Sequence, residues 1–273
     1  MTATAVPNPT SPRTLVAAAV VPVVALGVIV TAVLVLLLGL WGLLLGIVVT
    51  VAATALRARQ LTHGVRRRVL EVLDVRPADP AAEARLFNLA DGLAATSGAP
   101  VPDLFVVDEP AANLMLVGEP SATPALVVTS GLLEAVDRVQ LEGAVAWAFA
   151  VLRRGDLPAA SVAVGAVARP RLSAAAGGVG SLVVRPFGAL LAAGHSHLAD
   201  PERDLELDRA AVGLTRYPPG LRGALEQMER TGTAVARPDA ATAHLWMADP
   251  GGAVPGLAAR PSLELRIEAL RLL

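Results

Sequence analysis

The chain has 273 residues, of which 54% are hydrophobic, and its mean hydropathy of +0.57 exceeds that of ordinary soluble domains. Its net charge of −1 offers no excess of positive charge to phosphates, so we expect no nucleic acid among its partners. The chain has no cysteine, which excludes disulfide bonds and thiolate metal ligands.

The N-terminal stretch predicts a tail followed by a membrane anchor. Residues 1–14 are rich in Pro, Thr and Ser, and we expect a disordered tail. Residues 15–56 are almost continuously apolar and would form a helix of roughly 60 Å, whereas the hydrocarbon core is about 30 Å thick. We therefore predict a transmembrane hairpin of two helices that turns within residues 39–42. A single tilted span is the alternative; a cleaved signal peptide is disfavoured because its apolar region would have about 7–15 residues.

Arginines next to the apolar block predict the orientation of the chain. Five follow the block closely, whereas only Arg13 precedes it: Arg57, Arg59, Arg66, Arg67 and Arg68. Positive charge near a membrane span favours the cytoplasmic side. Residues 57–273 should therefore face the cytoplasm from the inner (plasma) membrane, and the arginines can also contact anionic lipid.

The next segments predict an α+β domain. Residues 81–96 have the apolar spacing of a helix. Three short apolar runs bounded by Pro or Gly, residues 104–107, 113–117 and 125–129, are typical of strands. We expect a mainly helical domain with a small β-sheet.

Residues 140–156 predict the central helix of this domain. Leu141, Val145, Ala148 and Leu152 lie on one stripe, and neighbouring apolar residues widen it. Gly155 then supplies a C-terminal stop.

Residues 157–194 separate this helix from the next predicted one. Arginines and prolines divide the region, and its longest apolar piece has about 13 residues, fewer than the roughly 17 needed to cross a bilayer. We interpret it as a membrane-interfacial or re-entrant insertion. A flexible Gly/Ala-rich loop is the alternative.

Residues 203–215 predict a helix on which Asp204 and Asp208 lie one turn apart. Two carboxylates on one face favour ion pairing, and Arg203 or Arg209 are the nearest partners along the chain.

The four histidines give weak signals for a metal site. His195 and His197 could share a metal ion with Asp204, although histidine pairs at a loop-to-helix junction are more often solvated. His63 and His244 have no partner in the sequence pattern and are interpreted as structural.

Several separated blocks carry a resemblance to a known family. They are VPDLFVVDEPAANLMLVGEP, ALVVTSGLLEAVDRVQLEG, RDLELDRAAVGLTRYPPGLRGALEQME, AHLWMADP and RPSLELRIEALRLL. In that order they resemble the HtpX-like membrane zinc metallopeptidases. The resemblance implies a zincin-like metallopeptidase domain in which an edge strand beside the central helix receives the substrate backbone. A purely structural sheet is the alternative here.

The resemblance also exposes what differs at the metal site. The family's central helix carries HExxH, in which two histidines bind zinc and the glutamate activates water. Here the matching positions are Trp147, Ala148 and Val151, which can neither bind zinc nor accept a proton. We expect Trp147 and Val151 to fill the site.

The remaining family positions keep only part of their chemistry. The third ligand, a glutamate four residues before an aspartate, is matched by Asp204 and Asp208, so the ligand position carries a shorter carboxylate. Arg260 stands where the family commonly has a histidine before proline. The resemblance therefore implies the fold and argues against the activity.

These patterns predict a membrane-anchored pseudopeptidase that binds no zinc, although its parent family does. Its expected partners are the lipid bilayer and a peptide or membrane protein in the remnant cleft. An active metal-dependent endopeptidase with a site rebuilt from His195, His197 and Asp204 is the first alternative, and a structural membrane protein is the second.

Overall fold

The structure is a computed structural model that describes residues 12–119, 122–155, 157–158, 160–161, 164, 201–236, 242–251 and 260–273. Most of the predicted tail and most of the predicted insertion at residues 157–194 lie outside these ranges. So do His195 and His197.

Two long apolar helices form the N-terminal hairpin: α1 (Pro12–Leu38) and α2 (Leu40–Thr62). The chain turns at Gly39, whose φ of 59° favours glycine. Each helix is long and apolar enough to cross a membrane, over Val20–Leu38 and Leu40–Leu61. None of the first stretch and only 11% of the second is buried inside the protein. Their exposed apolar surface suits contact with lipid.

The bounds of the hairpin differ from the predicted residues 15–56 at both ends. Helix α1 begins at Pro12, inside the stretch predicted as a tail. Helix α2 continues past the apolar block through Arg57 and Arg59 and ends at Thr62. The helix does not stop at the first charge because arginine is a good helix former.

Small residues bring the two helices of the hairpin together. A Cβ atom at Gly27 would collide with Thr50, and one at Gly46 would collide with Thr31. Each threonine hydroxyl donates to the carbonyl four residues earlier in its own helix, Thr31 to Gly27 at 2.7 Å and Thr50 to Gly46 at 2.8 Å. The interface therefore packs closely without an unsatisfied hydroxyl at these positions.

A short helix connects the hairpin to a four-stranded mixed sheet. After α3 (Val65–Leu73) come β1 (Arg76–Pro77), α4 (Ala84–Ser97), β2 (Asp103–Val107), β3 (Leu114–Glu119) and β4 (Ala122–Thr129). The strand order is β1-β2-β4-β3, with β2 parallel to β4 and the other pairs antiparallel. Strand β3 therefore lies at one edge of the sheet.

Both faces of the sheet are covered. Leu114 and Leu116 of β3 pack into the cluster that contains α4 and the central helix, whereas Met115 and Val117 pack into the cluster that contains α3. This alternation follows from the two-residue period of a strand. Because both faces are covered, the strands are continuous apolar runs and lack an exposed polar face.

The central helix, α6 (Arg138–Arg154), follows the one-and-a-half-turn helix α5 (Ser130–Ala135). It begins two residues before the predicted Gln140, because Asp137 and Gln140 form a capping box. It ends at Gly155, whose φ of 76° closes the helix as predicted. Leu141 and all nine residues from Gly143 to Val151 are buried.

The C-terminal part contains three helices and one short segment. They are α7 (Pro201–Thr215), α8 (Pro218–Thr231), a 3₁₀ turn (Ala243–Leu245) and α9 (Leu263–Arg271). Helices α7 and α8 contact α6 directly, and α9 contacts α7 and α8. The inward residues of α7 include Leu207 and Ala211, whereas Leu205 is only half-buried.

Candidate functional site

The α6 side of the candidate site is apolar and tightly packed. Trp147 is 1% exposed, Ala148 is fully buried and Val151 is 3% exposed. They belong to the same buried cluster as Leu207 of α7. The indole nitrogen of Trp147 has no hydrogen-bond partner within the described part of the chain. This side therefore contributes packing and no ligand atoms.

The α7 side of the site keeps its carboxylates, and an arginine holds the first. Asp204 accepts two parallel hydrogen bonds from Arg260, from Nε to Oδ2 at 2.8 Å and from Nη2 to Oδ1 at 3.1 Å. The side chains are 4% and 16% exposed. This is the fork geometry in which an arginine binds a carboxylate most strongly.

A second arginine holds Asp208 in the same way. Arg266 donates from Nε to Oδ2 at 2.8 Å and from Nη2 to Oδ1 at 2.6 Å. Here both side chains are buried, with 1% and 2% exposed. Because two buried charges are stable only when they are paired, each residue of this pair depends on the other.

The two arginines also bind backbone carbonyls of the segment that contains the 3₁₀ turn. Arg260 donates from Nη1 to the oxygens of Ala243 at 3.3 Å and Trp246 at 2.9 Å, and from Nη2 to that of Met247 at 2.9 Å. Arg266 donates from Nη1 to the same Met247 oxygen at 2.6 Å. The arginines therefore connect α7, this segment and the C-terminal residues into one network, which we call the clamp.

Electrostatics favour the ionised form of Asp204. Burial raises the pKa of its carboxyl, but the charge and hydrogen bonds of Arg260, with the charges of Arg266 and Arg203, outweigh burial and lower the pKa. Burial lowers the pKa of Arg266, but Asp208 and Asp204 outweigh it and raise the pKa. These interactions favour the charged forms of Asp204 and Arg266.

The bidentate partners of these carboxylates are not the arginines expected from helix spacing. The pairs are made by Arg260 and Arg266, which lie 56 and 58 residues further along the chain. Arg203 adds a favourable charge near Asp204, and Arg209 is exposed. Spacing along a helix identifies only local partners, so it missed the pairing.

A zinc ion does not fit this set of residues. Both oxygens of Asp204 are engaged by a guanidinium, and Trp147, Ala148 and Val151 offer no lone pair for a metal. Within the described residues, no three His, Asp or Glu side chains are placed to hold a metal ion. The positive charge beside Asp204 is supplied by Arg260.

Two of the histidines have described positions. His244 is buried in the 3₁₀ turn, where its Nε2 lies 2.9 Å from the carbonyl oxygen of Ala160. His63 is exposed at the end of α2. The rebuilt site predicted from His195, His197 and Asp204 stays a prediction, because both histidines lie outside the described residues.

A groove of about 510 Å³ runs along the seam between α6 and α7. Small residues, among them Ala210 and Gly213, line it together with Leu207 and Leu214. Its polar rim includes the ion pair between Arg154 Nη1 and Glu206 Oε2 at 2.6 Å. The groove is open to solvent beside the buried clamp.

Comparison with known proteins now identifies the family. The chain is 31% identical over 208 residues to the protease HtpX homologue of Dictyoglomus thermophilum, and the match covers 69% of each protein. The chain belongs to the HtpX-like protease family. The HtpX homologue of Tropheryma whipplei is 30% identical over 184 residues, covering 61% of this chain and 63% of the relative. That of Limosilactobacillus fermentum is 27% identical and covers 84% of this chain and 85% of the relative. No protein-family model matches the chain.

Membership of the HtpX-like family agrees with the resemblance seen in the sequence blocks. Together with the two exposed apolar helices, it indicates a membrane protein. The chain itself contains no HExxH, since none of its four histidines is followed by glutamate.

Proposed function

We propose that this HtpX-like chain is a membrane-anchored pseudopeptidase: it has a zincin-like domain, does not hydrolyse peptide bonds and acts by binding peptide or protein partners. The observation that carries the proposal is the two-pronged ion pair between Asp204 and Arg260. Asp204 is the one carboxylate that the family resemblance assigns as a zinc ligand, and Arg260 binds both of its oxygens.

The chemistry of hydrolysis supports this reading. A zinc hydrolase needs three protein ligands, an open coordination position for water and a base that takes the proton of that water. The matched positions on α6 are Trp147, Ala148 and Val151, so two ligands and the base are replaced by buried apolar groups. The third ligand position, Asp204, is neutralised by an arginine.

A rebuilt metal site would have to compete with that arginine. Asp204 could join His195 and His197 only if it released Arg260, whose guanidinium also binds three backbone carbonyls. The cost of releasing a charged hydrogen-bond partner, about 1.5–3 kcal/mol for each bond, disfavours this alternative. A purely structural membrane protein would need no groove such as the one between α6 and α7.

The proposed anchor is the α1–α2 hairpin, with residues 57–273 as a domain in the cytoplasm. The support is the excess of arginine after the apolar block, including Arg57 and Arg59 at the end of α2. A reporter fused after Leu273 should be active on the cytoplasmic side. Activity only on the outer face of the membrane would overturn the orientation.

The direct test of inactivity is casein degradation by the full chain in detergent, with added zinc and with chelator. A zinc metallopeptidase of known activity provides the positive control. We expect no cleavage above background in either condition. Chelator-sensitive cleavage that co-purifies with the chain would refute the proposal.

Partner binding can be tested at the groove between α6 and α7. Ala210 is exposed and lines the groove, so Ala210→Trp should fill it without disturbing the core. Arg209→Trp is the matched control, because Arg209 is exposed on the same helix and does not line the groove. A partner cross-linked to the parent in membranes should be lost with Ala210→Trp and retained with Arg209→Trp. Equal retention by both variants would exclude the groove.

A further inference from the structure

Strand β3 lies at the edge of the sheet, where it pairs with β4 on one side only. An edge strand presents backbone N–H and C=O groups that can pair with another chain. The residues of β3 are strongly apolar, and Leu114 to Val117 are buried. An uncovered edge of this kind would invite pairing with any extended peptide.

Residues 242–248, which we call the strap, cover the first half of this edge. Trp246 forms an antiparallel bridge with Met115, and the Met247 N–H donates to the Leu114 carbonyl at 2.8 Å. Further on, the Gly118 N–H donates to the Ser161 hydroxyl at 3.2 Å. The chain's own segments therefore bind outward groups near both ends of β3.

The side chain of Asn113 extends the pairing by one residue. Its Nδ2 donates to the Ala248 carbonyl at 3.0 Å, and its Oδ1 accepts from the Ala248 N–H at 3.2 Å. The carboxamide thus makes the two bonds that a backbone group of a paired strand would make. Asn113 is fully buried, so these bonds are costly to lose.

The clamp holds the strap from its other side. Carbonyls of Ala243, Trp246 and Met247 accept from Arg260 and Arg266, and the same two guanidinium groups bind Asp204 and Asp208. The Trp246 side chain is 1% exposed and packs in the cluster on the α3 face of the sheet. The position of the strap is therefore coupled to the ion pairs on α7.

We propose that the strap is a built-in strand that closes the edge of β3, and that the Asp204–Arg260 pair locks it in place. When this pair is broken, the strap leaves β3 and the edge accepts an extended peptide. The inference concerns closure of the edge and does not depend on partner binding in the groove between α6 and α7.

The first test is hydrogen exchange of the full chain in detergent. Asp204→Asn removes the charge that orients Arg260, and Glu206→Gln is the matched control, because Glu206 is an exposed carboxylate on the same helix. In Asp204→Asn, the exchange rate of the Met247 and Ala248 amides should rise at least tenfold more than that of the core amides of α6. In Glu206→Gln, it should not. An equal rise in the strap and α6, or no rise, would overturn the lock.

A second variant keeps the test decisive if Asp204→Asn does not fold. Arg260→Lys retains the positive charge, but an ammonium cannot bind both carboxylate oxygens and three carbonyls in the fork geometry. It should loosen the same two amides.

The second test uses a fluorescein-labelled peptide that copies residues 242–250, TAHLWMADP, with a scrambled peptide as the control. The copied peptide should bind Arg260→Lys at least tenfold more tightly than the parent, and the scrambled peptide should bind neither. Affinity that is the same for parent and variant, including no binding to either, would overturn the proposed opening of the edge.

Discussion

The two sides of the candidate site are filled in opposite ways. On α6, the matched positions carry Trp147, Ala148 and Val151, which are buried and apolar. On α7, Asp204 and Asp208 are retained and equally buried, and each is bound by an arginine. Packing stabilises the first side, whereas paired charges stabilise the second.

This difference shows that the two sides have different requirements. A buried carboxylate without a cation is strongly disfavoured, so a site without zinc must either lose its aspartates or neutralise them. Here Arg260 and Arg266 neutralise them. Restoring a single ligand on α6 would therefore leave Asp204 occupied.

The largest effect is expected from breaking the most buried pair. Arg266→Met leaves Asp208 as a buried charge without its bidentate partner, and should lower the free energy of unfolding by about 3–5 kcal/mol. Urea unfolding of the domain in mild detergent measures the loss.

The matched control for this prediction removes both charges. The double variant Asp208→Leu/Arg266→Met should be less destabilised than Arg266→Met, because no buried charge remains without a partner. Effects that simply add in the double variant would show that the two residues do not act as a pair.

The next effect concerns the packed side. Trp147→His replaces one of the two largest fully buried side chains in the described part of the chain with a smaller, polar one, and should cost about 3 kcal/mol without gain of zinc or proteolysis. Trp147→Phe, which keeps an apolar ring, should cost less. If Trp147→His is as stable as the parent in the same unfolding assay, Trp147 does not fill the site.

A smaller effect is expected from a pair outside the site. Glu83 accepts from Arg76 at 2.7 Å, and this hydrogen bond, against the effect of burial, lowers the pKa of Glu83. The pKa of Glu83 is lower in the folded state than its unfolded value of about 4.3. The pair therefore stabilises the fold above about pH 4.3, and this stabilisation is lost as the pH falls through the folded pKa.

Glu83→Gln should therefore lower the free energy of unfolding by about 1 kcal/mol at pH 7, and the stability of this variant should fall less steeply than that of the parent below about pH 4. Thermal unfolding over a pH series measures this. Glu268→Gln, at an exposed pair with Arg271, is the control and should leave the pH profile unchanged. An identical profile for Glu83→Gln and the parent would count against the pair.

The smallest effect is expected on the exposed rim of α7. Glu206 and Arg154 form an ion pair with side chains 54% and 39% exposed. Glu206→Gln should change the free energy of unfolding by less than about 0.5 kcal/mol, because exposed pairs contribute little. A loss as large as that of Arg266→Met would remove the distinction between buried and exposed pairs on this helix.

The elements of the fold could be predicted from local patterns, and their long-range pairings could not. The apolar spacing of α6 and the short strands gave their positions to within a few residues, because a buried face repeats with a helix or strand period. The start of α6 was missed, although Asp137 and Gln140 carry a readable capping signal.

The candidate site shows the same limit. Asp204 was placed correctly on a helix, but its partner Arg260 lies 56 residues away and no local spacing connects them. The signal that could have found it was charge: a buried carboxylate needs a cation, and Arg260 stands where the resemblance places a histidine. The pairing of Trp246 with Met115 is a single bridge without a strand pattern.

The central claim is that Arg260 binds Asp204, the carboxylate that the family resemblance assigns as a zinc ligand. The most direct measurement is zinc per chain in protein purified from membranes without chelator. We predict far less than one zinc per chain, unchanged by added zinc after dialysis. Stoichiometric zinc in the parent that is lost with Asp204→Asn would contradict the account, because it would show that Asp204 binds a metal and not Arg260.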